Sequence, residues 1–113
     1  MATFSRVLVG YDGGEHAKDA LALGRLIADR SDAELVLASI VPIPIGGSFV
    51  PALPADAYTE LTEKARASLE EMAGTVGAGS EVEQSSSASH GLLTVAERIG
   101  ADLIVVGSSP RAE

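Results

Sequence analysis

The 113-residue sequence contains no cysteine and no tryptophan, and only two tyrosines and two phenylalanines. Without thiols there are no disulfides, no thiolate nucleophile and no cysteine metal site. Basic residues are also scarce: eight Lys and Arg stand against sixteen Asp and Glu, a net charge of -8. Such a surface repels phosphate backbones, so nucleic acid is not an expected partner. No stretch approaches the roughly 20 uninterrupted apolar residues of a spanning helix. The start, Met1-Ala2-Thr3-Phe4-Ser5-Arg6, lacks the charged and apolar regions of a signal peptide. No membrane partner and a cytoplasmic location are the expectation. What is present is apolar content, 46% of residues, enough to build one globular core and to exclude disorder of the whole chain.

The apolar residues alternate between two kinds of pattern. Arg6 to Tyr11 is a continuous run closed by Asp12-Gly13-Gly14, a buried strand ending in a turn. Ala17, Ala20, Leu21, Gly24, Ile27 and Ala28 then recur at helical spacing, with a small-sided face suited to close packing on a sheet. Glu34 to Val41 predicts a second buried strand, closed by Pro42. Four prolines and two glycines between Pro42 and Pro54 predict a long connection. A second helix is expected on the stripe Ala57, Leu61, Ala65, Leu69, Met72 and Val76. Ser80 to Ser85 suggests a short polar strand at a sheet edge. A third helix fits Ser89 to Ile99, with Leu92, Leu93, Ala96 and Ile99 inward, Ser85-Ser86-Ser87 capping its start and Gly100 stopping it. Asp102 to Val106 is the last strand.

Strands separated by helices call for an α/β fold, a Rossmann-like open parallel sheet with helices on both faces. The first, second and last strands read as buried on both faces and the third as an edge, so the simplest order is 3-2-1-4. That order has one topological switch point, between strands one and four, where ligands bind beyond the strand ends. The crevice there is lined by Gly10-Tyr11-Asp12-Gly13-Gly14 and Gly107-Ser108-Ser109-Pro110. Glycines allow close backbone approach, and the amides opening the first helix suit a phosphate. Asp12 is placed to accept a ribose hydroxyl or to help hold a divalent cation. Asp-Gly is also foremost a turn dipeptide, and neither a Walker lysine motif nor G-x-G-x-x-G is present. His16 and His90 read as surface or capping residues, and no metal site is expected.

Three segments together resemble the universal stress proteins, within the adenine-nucleotide α-hydrolase-like group: Arg6 to Gly13, Ser39-Ile40-Val41-Pro42, and Gly100 to Ser108. The resemblance implies a cytoplasmic homodimer of Rossmann-like subunits, some members of which bind ATP, with Mg, and act in stress signalling. By position Asp12 resembles the acid that approaches the adenosine moiety, with Gly10, Tyr11 and Gly13 beside it. Ile40 resembles the residue whose backbone meets the adenine ring, and Val41 adjoins it. Gly107 resembles the first glycine of the family's phosphate motif: glycine, two residues, glycine, nine residues, glycine, then serine or threonine. Ser108 and Ser109 would be the two intervening residues. The second glycine is replaced by Pro110, which has no amide to donate. Family members continue with a further helix and a fifth strand, so residues 1–113 are expected to be a single domain, incomplete at its C-terminus, with Leu103 to Val106 as an apolar edge. A nucleotide-binding switch and a non-nucleotide dimeric interaction module with a degenerate crevice are both open. No residue stands out as a general base, so at most slow ATP hydrolysis is expected. A hydrolase or ligase of the same superfamily is disfavoured, because no S-G-G-x-D-S loop follows the first strand.

Overall fold

The computed structural model describes residues 4–12, 14–42 and 55–107. Its elements follow the expected alternation: β1 Arg6–Gly10, α1 Glu15–Ser31, β2 Glu34–Pro42, α2 Ala55–Val76, β3 Gly79–Ser85, α3 Ala88–Ile99 and β4 Leu103–Val106. The four strands form one parallel sheet in the order β3-β2-β1-β4. Gly10 of β1 is in register with Ala38 of β2 and Val106 of β4, which brings three strand ends level at the switch point. The proline-rich connection of residues 43–54 lies outside the described residues.

Side-chain alternation along the strands divides the core in two. Val7, Val9, Leu35, Leu37 and Val105 pack against α1 and α2. Leu8, Val36 and Ala38 turn to the opposite face, against Leu92, Val95 and Ala96 of α3. Val7, Leu8 and Val9 are wholly buried, each contributing about 1.5–3 kcal/mol by leaving water. The small-sided stripe of α1 has the consequence its composition suggests: a Cβ on Gly24 would lie 2.5 Å from Val9 Cγ2. The helix therefore sits closer to β1 than any side chain there would permit.

Helix ends follow local chemistry. Ser87 Oγ accepts a hydrogen bond from the His90 amide at 3.1 Å and caps α3. Gly100, at φ 71°, closes the same helix in the left-handed conformation that glycine adopts at least cost. Asp32 does this for α1 at φ 56°, its amide reaching the Ala28 and Asp29 carbonyls.

Three expectations require correction. Leu93 is exposed and Val95 takes the inward position on α3, because Leu92, Val95, Ala96 and Ile99 make the i, i+3, i+4, i+7 stripe and Leu93 lies about 100° from it. On α2, Leu61 is exposed whereas Leu69 and Ala73 carry the contact with the sheet; the side chain of Ala57 lies outside the described residues. The last strand is not buried on both faces. Leu103 and Ile104 are half-buried and Val106 is exposed, in keeping with the apolar edge expected of this segment: among the described residues β4 has a neighbouring strand on one side only.

Candidate functional site

The end of β1 is held by hydrogen bonds that run one residue past the strand. The Tyr11 amide donates to the Ala38 carbonyl at 2.8 Å, and the Ser39 hydroxyl donates to the Tyr11 carbonyl at 2.8 Å. Thus fixed, Tyr11 buries its ring on the α1 and α2 side, and the chain turns immediately at Asp12. The Asp12 carboxylate accepts the Gly14 amide at 2.9 Å. Gly14 is the extended N-cap residue of α1 and has no side chain to cap the first-turn amides; the Asp12 contact is an Asx-type turn onto the N-cap residue's own amide.

A crevice of about 420 Å³ opens beyond β1 and β4, within the size range of small-molecule pockets. Its floor is small and apolar: Gly10, Ala38, Ile40, Leu92 and Val106. Glycine at position 10 keeps that floor low, because a Cβ there would approach Leu92 Cδ1 to 3.0 Å and Val106 Cγ1 to 3.2 Å. Asp12 and the first turn of α1 form one rim and Gly107 another. At Gly107 a Cβ would fall 2.2 Å from the His16 carbonyl oxygen. The backbone leaving β4 is pressed onto the first turn of α1, and the glycine has this packing requirement whether or not a ligand is present.

Gly10, Tyr11, Asp12, Ile40 and Gly107 thus border one crevice. Val41 does not line it and is buried instead. Gly13, Ser108, Ser109 and Pro110 lie outside the described residues. A second cavity, of about 530 Å³, lies under the opposite side of the same turn, between Tyr11, Asp12 and Ser39 and the α2 residues Lys64, Ser68 and Glu71. Sequence reasoning did not anticipate it. The signal was the polar spacing of Lys64, Ser68, Glu71 and Thr75, at steps of four, three and four along α2. Asp12 borders both cavities. No three His, Asp or Glu side chains converge among the described residues in a way that would hold a metal ion.

The sheet order and the crevice at its switch point define a Rossmann-like α/β domain. The model of the universal stress protein family matches residues 3–113, and the chain belongs to that family. Among solved structures, it resembles universal stress protein UspA from Lactobacillus plantarum with a TM-score of 0.76 at 22% identity, over 100% of this chain and 83% of that one. A universal stress protein family member from Burkholderia pseudomallei aligns with a TM-score of 0.67 at 25% identity, over 92% and 81% of the two chains. A universal stress protein in complex with cAMP aligns with a TM-score of 0.64 at 21% identity, over 93% and 77%. No curated protein matches the sequence. No helix among the described residues is long and apolar enough to cross a membrane.

Proposed function

We propose that this protein binds an adenine nucleotide in the crevice between β1 and β4, and that the bound state alters contacts with a second copy or another partner in a cytoplasmic stress response. The observation that carries the reading is the meeting of Asp12, Ile40 and Gly107 around a floor kept open by Gly10. A purine ring fits the apolar floor beside Ile40, and the Asp12 carboxylate stands where a ribose hydroxyl would donate to it. A relative of the same fold has been solved with cAMP, which supports an adenine ligand. ATP with Mg is the further ligand that membership of the family suggests.

Calorimetry of the full chain with AMP tests this. We expect saturable binding that weakens at least tenfold in Asp12→Ala while the circular dichroism stays native. No heat at millimolar AMP from a folded protein would sink the proposal.

A second reading is a dimeric interaction module that binds no nucleotide. The packing of Gly107 against His16 favours it, because that glycine is accounted for without a phosphate. Pro110, in place of the second motif glycine, favours it too. Under this reading AMP gives no heat, and sedimentation shows a dimer indifferent to nucleotide.

A further inference from the structure

We infer that the solvent face of α1 is a self-association surface, at which the helix pairs antiparallel with α1 of a second copy of this chain. The helix turns Ala17, Ala20, Leu21, Gly24 and Ala28 toward the sheet. Away from that face run Asp19, Leu23, Leu26 and Arg30, at steps of four, three and four residues, the spacing of a two-helix seam. All four are exposed, and Leu23 and Leu26 each leave 50% of their surface in solvent. Single exposed leucines are ordinary. This pair is set apart by the charges that flank it.

Those charges identify the occupant. Asp19 stands four residues before Leu23 and Arg30 four residues after Leu26, so the stripe reads acid, leucine, leucine, base. A twofold axis perpendicular to α1, midway between Leu23 and Leu26, sets each Leu23 against Leu26 of the other copy and each Asp19 against Arg30 of the other copy. One stripe is thus complementary to itself, as a twofold contact requires. A parallel pairing would set acid against acid and base against base, which disfavours it. No ion pair within the described residues engages Asp19 or Arg30. The seam is about 16 Å long from Asp19 to Arg30. A contact of that length is smaller than a standard stable interface, so the association is weak and depends on concentration. None of the four residues lines the crevice, and the inference does not depend on what the crevice binds.

Sedimentation equilibrium of the full chain, at about 0.15 M salt to screen long-range repulsion and at protein concentrations up to about 1 mM, tests the inference. The parent is expected to show a reversible monomer–dimer equilibrium. Asp19→Arg and Arg30→Asp each place like charges opposite one another and should weaken the dimer by about tenfold or more. Their circular dichroism should stay native, since both positions are exposed. An equimolar mixture of the two variants restores both pairings in a heterodimer and should recover an affinity near the parent's. Leu26→Gln, which keeps helix propensity and removes the apolar contact, should also weaken the dimer. A mixture that associates no more tightly than its separate components overturns the inference, as does a parent dimer unmoved in both charge variants. A parent that stays monomeric throughout overturns it too, and leaves the adenine reading standing.

Discussion

Gly107 and Asp12 are the two residues at which the proposed ligand-binding role and a structural role coincide, and the two roles can be separated by the choice of substitution. At Gly107 the obstacle to a side chain is the His16 carbonyl, which is helix backbone and cannot rotate away. Gly107→Ala is therefore expected to cost about 1–3 kcal/mol, as overpacking does, measured by urea unfolding. A variant as stable as the parent would show that β4 and α1 do not meet as closely as described. Weakened nucleotide binding in Gly107→Ala would not by itself identify a phosphate contact. At Asp12, alanine removes the acceptor of the Gly14 amide and should cost about 1 kcal/mol, while asparagine retains an acceptor and should cost a few tenths. Urea unfolding of the pair distinguishes this, since equal losses would mean that the hydrogen bond is not what stabilises the turn. Asp12→Asn is then the variant in which any change in binding reports the carboxylate charge. The Asp-Gly turn and its place at the switch point were legible in the sequence. The collision at Gly107 was not, because it depends on how far β4 and α1 approach each other in space.

Among the elements, the amino ends of the strands are tied together by polar groups rather than by packing. The Asp102 carboxylate accepts the Ser5 amide at 2.8 Å and the Arg6 amide at 3.0 Å, while its own amide donates to the Arg6 carbonyl. Arg6 in turn pairs with Glu34 and donates to the Ile99 carbonyl. This joins β1 to the start of β2 and to the end of α3. The amides of Ser5, first, and Arg6 hold the Asp102 carboxyl below its ordinary value. A carboxyl depressed in the folded state contributes stability that is present above its unfolded value, near pH 4, and is lost as pH falls through the folded one. Asp102→Asn should therefore be less stable than the parent at pH 7, with the gap closing below about pH 4; a gap constant from pH 7 to pH 3 would remove Asp102 from the acid response. Strand order and element type were legible because a doubly wound sheet has few arrangements once its edge strand is known. Helix faces were less so. Leu93 is apolar enough to suggest burial, yet it lies off the stripe through Leu92, Val95 and Ala96 that faces the sheet. Polar β3 holds its place by pairing in parallel with β2 along its length, and Arg98 of α3 reaches across to Glu83 at 2.7 Å and Glu81 at 3.0 Å. Those exposed pairs contribute at most about 1 kcal/mol each.

For the whole molecule the decisive quantity is the net charge of -8, which sets a long-range field around any anionic ligand. Solvent-exposed charges are felt over about 30 Å at 0.01 M salt and about 3 Å at 1 M. If the carboxylates of the whole surface oppose a triphosphate, raising the salt must strengthen ATP binding and leave adenosine almost untouched. This is the reverse of what a site built from lysine and arginine shows, where salt competes with the phosphates. Between about 0.01 M and 0.5 M sodium chloride we therefore expect the dissociation constant of ATP to fall by severalfold and that of adenosine to change by less than twofold. Calorimetric titrations of the full chain at four salt concentrations would measure both slopes. A dissociation constant for ATP that rises with salt would mean that cationic contacts dominate its binding, and that the net charge of -8 does not govern it.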